Sequence, residues 1–388
     1  MRIVHVTPYF APAFRYGGPP QSVLGLCHGL ASCGVDVEVI TTAANGDTPL
    51  PPSPPAGDVY EGIPVHYAAP AFPRRFFGGA LAAPLRRALP HADVCHIHGV
   101  WNVPEWQAAA SASALGIPYM ISPRGMLQPA ALSRHPWRKR AMYRLVERRN
   151  LLRAARLHAT GPQETAVLGR IVDPRRVVEI PNGVTLAVPG GARTDIRARL
   201  GIPADDPIVL FLGRLHPIKR IDLLAAAVAT LRVGYPAAHL VLAGPDEGGH
   251  LAALRAQLAP LGAFVHAPGA IDERTKHDLF AETSVLALCS DSESFGMSVV
   301  EAMGAGVPVV VARTCGWTEI GRDGCGWLVD QSAGAIADAL EQAIADPARA
   351  AAMGRRGALI ARDRYSWRAV AERMIACYED ILARRAVA

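Results

Sequence analysis

Short apolar runs, each followed by a turn and then a helix-spaced pattern, recur along the whole chain. Residues 3–7, 36–41, 93–98, 118–122 and 157–160 form one series; residues 208–212, 239–243, 265–271 and 284–288 form another. Such runs are continuous rather than alternating, so they read as strands buried on both faces. Strands alternating with helices imply parallel sheets. The two series are separated by residues 185–205, rich in Gly, Pro and Arg. A chain of 388 residues, half of them apolar, exceeds one ordinary core. The expectation is therefore α/β, with two open parallel sheets facing one another across an interdomain cleft. The domains fall at 1–185 and 186–365, with a last helix at 366–388.

One stretch combines the strand–turn–helix pattern with charge. Residues 284–288 read as a buried strand, 290–296 as a polar turn, and a helix starts at Met297 and ends near Gly304 and Gly306, before Pro308. A strand, a Gly-containing turn and a helix start make an anion site, because free amides and the helix dipole point at the ligand. Glu293 and Glu301 frame it, with seven residues between. Ionised Glu only accepts hydrogen bonds, which suits a ligand carrying hydroxyls beside its phosphates, as a nucleotide sugar does. The alternative is a solvated helix start with two surface glutamates.

Glu293, Phe295-Gly296 and Glu301, followed by Ala302-Met-Gly-Ala-Gly-Val-Pro-Val-Val310, resemble the Glu-x7-Glu signature of retaining GT-B glycosyltransferases of family four. Supporting motifs cover nearly the whole chain. The resemblance implies two Rossmann-like domains, the second binding the nucleotide sugar, and a last helix (367–382) that returns to the first domain. It also implies roles. Gly213-Arg214 and Lys219 match a Gly-Arg…Lys pattern whose cations bind the donor pyrophosphate, although Arg220 stands where that pattern has Gly. Gly17 and Gly18 form a loop that closes over donor phosphate and sugar, and Pro181-Asn182-Gly183-Val184 is the turn at the end of the first domain, with Asn182 among the donor-binding residues. Gly269 and Ile271 flank the base. Phe295, Gly296, Met297 and Ser298 line the donor, Glu293 holds sugar hydroxyls, and Glu301 holds the ribose diol. His98 and Arg124 sit at the transfer centre. Arg124 occupies a position where many relatives have His, which hints at a charged acceptor gripped by a guanidinium.

The residues set their own limits. Gly17-Gly18 is not GxGxxG, which disfavours an NAD enzyme. His96 and His98 share one face of a strand, as metal ligands would, but no third ligand is near in sequence, and no Asp-x-Asp appears; the expectation is no metal and no cofactor. On the resemblance, Arg214, Lys219 and the helix start could replace Mg²⁺ in neutralising a UDP or GDP leaving group. His98 reads equally as a structural histidine. Only three residues are Lys, and one of them is Lys219.

Charge divides unevenly. Residues 1–185 hold 19 Lys+Arg against 11 Asp+Glu, a balance of +8; the rest hold 21 against 23, a balance of −2. Residues 134–156 carry nine cations interleaved with Trp137, Met142, Tyr143 and several Leu, against Glu147 alone. Such a run fits an anionic membrane surface, nucleic acid, or a solvated face. With the resemblance, the expectation is a lipid-linked glycan acceptor, a peripheral membrane contact and no nucleic acid. Residues 72–79 and 81–89, which mix Phe and Leu with Arg, offer a second surface element of that kind. Seven scattered Cys without a CxxC pair, no leader pattern and no apolar run of about 18 residues suggest a cytoplasmic enzyme, peripheral on the inner face of the plasma membrane. A GT-B sugar phosphorylase, a nucleotide-sugar epimerase and a basic nucleic-acid binder are the competing readings.

Overall fold

The structure, a computed structural model, describes residues 1–46, 48–50, 59–69, 81–133, 135–186, 195–293 and 295–387. The whole of the 72–79 element, and Arg134 of the basic run, lie outside the described residues. The chain divides into two compact units, Met1–Gly183 with Trp367–Ala388, and Val184–Ser366.

The first unit carries eight strands: β1 (Arg2–Val6), β2 (Asp36–Thr42), β3 (Val59–Tyr60), β4 (Ile63–Ala68), β5 (Val94–His98), β6 (Tyr119–Ser122), β7 (Arg156–Ala159) and β8 (Val177–Glu179), in the order β3-β4-β2-β1-β5-β6-β7-β8. The second carries β9 (Ile208–Leu212), β10 (His239–Ala243), β11 (Val265–Gly269), β12 (Val285–Leu288), β13 (Val309–Ala312) and β14 (Gly326–Val329), in the order β11-β10-β9-β12-β13-β14. Strands β1, β5, β10, β12 and β13 are buried nearly throughout, as the continuous apolar runs require. In both sheets the order reverses beside the first strand, between β1 and β5 and between β9 and β12. Open α/β sheets hold their ligands at the carboxyl ends of the strands flanking that reversal.

Three details differ from the sequence reading. The first sheet is not wholly parallel, because β3 and β4 pair antiparallel through a two-residue turn at Glu61-Gly62. Both turn residues have positive φ, 47° and 82°, the geometry that matches strand twist in a tight hairpin. The stretch taken as linker contains a helix, Ile196–Leu200. The Asp195 side chain accepts from Ala198 N at 3.0 Å, and Gly201 ends the helix in the left-handed region. Arg197 then bonds the Glu282 carboxylate at 2.6 Å and the carbonyls of Pro203 and Asp206, which fastens the helix to the second unit. Finally, the last helix runs Trp367–Val387, past the expected 382.

That helix packs in the first unit. Val370, Ala371, Met374, Tyr378 and Ile381 join the core formed with Val23, Leu26, Cys27 and Leu30 of the helix Gly18–Ser32. The Trp367 ring lies so close to Gly25 and Gly183 that a Cβ there would sit 2.1 and 2.4 Å from it. Gly is required at both positions by the ring rather than by backbone angle.

Candidate active site

In the second unit, the turn after β9 and the loop after β12 meet at the reversal point. Asp291 N donates to Ile218 O at 2.8 Å, which joins them. Gln331 Nε2 donates to Cys289 O and Asp291 Oδ1, each at 2.9 Å, and Thr314 Oγ1 donates to Ser290 O at 2.6 Å. Trp317 Nε1 donates to Phe295 O at 2.6 Å and stacks obliquely on the Phe295 ring. The loop is thereby pinned at both ends before it enters the helix Met297–Gly304. Gly296 caps that helix with φ 84°, and a Cβ would sit 2.9 Å from Trp317 Nε1, so backbone angle and space both select Gly. No side chain caps this helix start, which leaves its first amides to a ligand.

Lys219 and Glu293 come together here. Lys219 Nζ lies 2.5 Å from Glu293 Oε1, with both side chains mostly buried, and Ser290 Oγ donates to the same oxygen at 2.6 Å. Both bonds use Oε1; no partner for Oε2 is found among the described residues. Arg220, at φ 51°, explains why a Gly suits that position. Its guanidinium bonds Asp222 at 2.9 Å and Asp291 at 3.3 Å and so ties the strained turn to the loop.

Arg214 is not brought to this pair. It leaves the carboxyl end of β9 on the exposed side and pairs with Glu247, from the loop after β10 that bridges to Leu215. Among the described residues no hydrogen bond or ion pair joins Arg214 to Lys219 or Glu293. Each cation meets a carboxylate.

Glu301 is likewise paired. Lys276 Nζ, from the helix Glu273–Glu282, lies 2.8 Å from Glu301 Oε1 and 2.9 Å from Glu273. Burial lowers the Lys276 pKa, but Glu301 and Glu273 outweigh it and the net shift is upward, so the side chain stays charged. Sequence reasoning passed over Lys276. Its rarity as the third lysine was the available signal. Gly269, at φ 79°, and Ile271 lie at the carboxyl end of β11, just before that helix.

In the first unit, four loops at the carboxyl edge of the sheet converge on Arg124, itself at φ 52°. Arg124 donates to His98 Nδ1 from Nε and Nη2 at 3.3 and 3.2 Å, to Ser22 Oγ at 2.8 Å, and to Asn182 Oδ1 at 3.2 Å. His98, Arg124 and Asn182 are thus one cluster, and Gly17 and Gly18 begin the helix that carries Ser22.

A third imidazole, absent from the sequence reading, joins His96 and His98. β1 pairs with β5 in the register His5↔His96, and one nitrogen from each of His5, His96 and His98 lies within 4.8 Å of the others. Hydrogen bonds already take their lone pairs. His158 Nε2 donates to Ile180 O at 2.7 Å, so its Nδ1 accepts from Ser122 Oγ at 2.6 Å. Ser122 must then accept from His96 Nε2 at 2.6 Å, and His96 Nδ1 accepts from the Tyr378 hydroxyl at 2.6 Å. Likewise Arg124 fixes His98 Nδ1 as acceptor, so His98 Nε2 donates to His5 Nδ1 at 2.8 Å. His5 Nε2 carries the remaining proton, buried without a partner among the described residues. Burial holds His5 and His158 near 3, with Arg124 adding to it, and lowers His96 and His98 as well. The cluster is a neutral, ordered network rather than a set of open ligands.

Residues 192–359 match the family model described as glycosyl transferases group 1, and residues 17–183 match the glycosyl transferase 4-like domain. The D-inositol 3-phosphate glycosyltransferase of Kineococcus radiotolerans is 30% identical, over 99% of this chain and 95% of that protein. This chain belongs to the group 1 glycosyltransferases. The equivalent protein of Acidothermus cellulolyticus is 31% identical, over 100% of this chain and 91% of its own length. Among solved structures, the sucrose-phosphate synthase of Thermosynechococcus elongatus superposes with a TM-score of 0.76 at 24% identity, over 99% of each chain. The Anabaena protein Alr3699/HepE, solved with UDP-glucose, gives 0.74 at 19% identity, over 98% of this chain and 100% of that one. The fold is GT-B, and this group 1 glycosyltransferase is an enzyme of the hexosyltransferase type.

Proposed function

We propose that this glycosyltransferase moves a sugar from a nucleotide diphosphate donor, with retention, to a lipid-linked or saccharide acceptor in polysaccharide assembly. The observation that carries the reading is the meeting of Lys219 with Glu293 at the reversal point of the second sheet, beside an uncapped helix start. Negative charge builds on the leaving nucleoside diphosphate as the glycosidic bond breaks. Lys219 and the amides of Gly296 and Met297 neutralise it, and Arg214 joins them by leaving Glu247. Glu293, held through Oε1, offers Oε2 to hydroxyls of the transferred sugar, while Phe295 and Ser298 complete the wall. Glu301, held by Lys276, takes the ribose diol, and Gly269 and Ile271 flank the base. Gly17 and Gly18 close on the donor. His98 and Arg124 serve the acceptor. Attack comes on the same face as departure, and the donor phosphate receives the acceptor proton. The Anabaena neighbour solved with UDP-glucose and the inositol-phosphate enzymes support a nucleotide sugar and a hydroxyl acceptor.

The basic helix supports a membrane setting. Trp137 and Leu145 are 76% and 79% exposed among Arg138, Arg140, Arg144, Arg148 and Arg149. No helix among the described residues is long and apolar enough to cross a membrane, so this face would lie on the cytoplasmic leaflet as a peripheral contact.

A panel of UDP-, GDP- and ADP-linked sugars tests the reading, with nucleotide release followed with and without added glycan acceptor. One donor class should raise the melting temperature and release its nucleotide faster with acceptor. Release that ignores acceptor, or requires phosphate, points instead to an epimerase or a phosphorylase.

A further inference from the structure

Both ring nitrogens of His98 are spent inside the protein. Nδ1 accepts from Arg124 Nε and Nη2 at 3.3 and 3.2 Å, and Nε2 donates to His5 Nδ1 at 2.8 Å. The His5 and His98 rings lie within 5° of parallel with centroids 5.1 Å apart, so they meet edge to edge and the N–H points at the facing lone pair. His5 is fully buried and comes from β1, the strand beside β5 in the first sheet. Accepting at Nδ1 leaves the His5 proton on Nε2, where it is buried with no partner among the described residues. A buried N–H without an acceptor is costly and calls for a reason.

The tautomer of His98 supplies one. Burial keeps both imidazoles neutral, and which nitrogen of a neutral ring carries the proton is set by the hydrogen bond the other makes. Were the His98 proton to move to Nδ1, it would face the N–H groups of Arg124, donor against donor, and that contact would be lost. The lone pair of His5 Nδ1 holds the proton on Nε2 and so keeps the Nδ1 lone pair of His98 turned to Arg124. Arg124 depends on such support. Its φ of 52° is one that a long side chain adopts at a cost. Its other partners are Ser22 Oγ at 2.8 Å and Asn182 Oδ1 at 3.2 Å, which leaves one Nη2 hydrogen without a partner among the described residues. Those two partners are held in turn. Ser22 Oγ donates to Pro19 O at 3.0 Å, and the turn carrying Asn182 follows Ile180, whose carbonyl accepts from His158 Nε2 at 2.7 Å.

We propose that His5 is a positioning residue for sugar transfer: by accepting from His98 it fixes the tautomer that aims Arg124. Transfer is then served by Arg124, and His98 acts through it. This deepens the proposed function and rests on it for the role of Arg124; the chain His5–His98–Arg124 does not.

Two substitutions separate a hydrogen bond from a filled space. His5→Phe keeps the ring and loses the lone pair, whereas His5→Asn loses the ring and sets an amide oxygen near the place of Nδ1. In the full chain with nitrogen-15 histidine, long-range proton–nitrogen correlations tell a bare ring nitrogen from a protonated one, and the His98 signals are assigned by their loss in His98→Gln. Wild type and His5→Asn should show His98 with Nδ1 bare and Nε2 protonated, and His5→Phe should show the other tautomer or a mixture. Nucleotide release from UDP-glucose and the other donors of the panel, with methyl glucoside, mannoside and galactoside as acceptors, should follow the same order. The kcat of His5→Phe should fall on the order of tenfold, the value of one hydrogen bond, with little change in donor KM, and His5→Asn should recover most of the loss. Melting temperatures establish that the variants are folded, and His5→Leu replaces His5→Phe should that not fold. Wild-type His98 with Nε2 bare overturns the proposal without any variant. So does His5→Phe with the wild-type tautomer and rate, or His5→Asn as the more impaired of the two, because His5 then only fills space. A wild type that turns over none of the donors removes the nucleotide-sugar reading, while the histidine signals still decide whether His5 fixes His98.

Discussion

Glu293 and Glu301 each give one carboxylate oxygen to a lysine and keep the other. Lys219 and Lys276 therefore orient two acceptors as well as supplying charge. If Glu301 holds the donor as proposed, Lys276, which reaches it from a neighbouring helix, acts on the donor through that carboxylate. Glu301→Ala should raise the donor KM by roughly tenfold, the value of one charge-assisted hydrogen bond. Lys276→Met should reproduce most of that rise with a smaller change in kcat, and Lys276→Arg should recover part of it. Steady-state kinetics with the donor varied would check this, and an unchanged KM in both variants would remove Glu301 from donor binding. The two glutamates were legible in the sequence, because an eight-residue offset across a helix start is a local pattern. Lys276 was not: its contact crosses from another helix, and no local spacing encodes it. Arg214 was legible as a cation at a phosphate-ready turn, but not as the partner of Glu247, since the loop that brings Glu247 depends on how β10 pairs with β9.

At the scale of elements, the basic segment runs as the helix Pro136–Met142, a wider turn at Tyr143–Glu147 and the helix Arg148–Arg153. Its one acid turns inward, where Glu147 accepts from Trp101 N and Trp106 Nε1, each at 2.5 Å. The arginines thus face out without compensation from their own segment. The helix could be read from composition; the inward turn of Glu147 could not, because it depends on tryptophans some 40 residues away. Arg144→Gln, Arg148→Gln and Arg149→Gln together should weaken binding to phosphatidylglycerol vesicles on the order of a hundredfold, at about 1 kcal/mol for each cation. Sedimentation with vesicles measures it, and undiminished binding would remove the membrane reading. The histidine network makes a second prediction. Its four imidazoles titrate below the ordinary 6.5 when folded, so the unfolded chain binds more protons as pH falls. Stability is complete above about pH 6.5 and declines below it, by roughly 2 kcal/mol for each histidine between pH 7 and 5. Glu105 and Glu147 oppose this: burial raises both, Glu105 to about 8, so they favour the folded state on acidification, but as two groups against four. Urea unfolding at pH 7 and 5 should show a net loss at pH 5, and a gain would contradict the neutral network.

Over the whole molecule, Lys219 with Glu293 lies where the second sheet reverses its strand order, beside β9 and β12, and Arg124 with His98 lies one strand along from the reversal of the first sheet, beside β5 and β6. The alternation of buried strands and helices was enough to indicate two such sheets, since continuous apolar runs admit few other folds. What it could not supply was the hairpin β3–β4 and the helix at 196–200, which are short and set by turn residues rather than by hydrophobic period. Likeness to D-inositol 3-phosphate glycosyltransferases along nearly the full chain agrees with a group 1 glycosyltransferase. The central claim is that Lys219 stabilises charge on a departing nucleoside diphosphate, more in the transition state than in the bound donor. Measuring kcat and donor KM for wild type and Lys219→Ala tests it most directly. The account predicts a fall in kcat of about a hundredfold to a thousandfold, with a smaller change in KM and a melting temperature that shows the variant folded. A folded Lys219→Ala enzyme that turns over at the wild-type rate would contradict it.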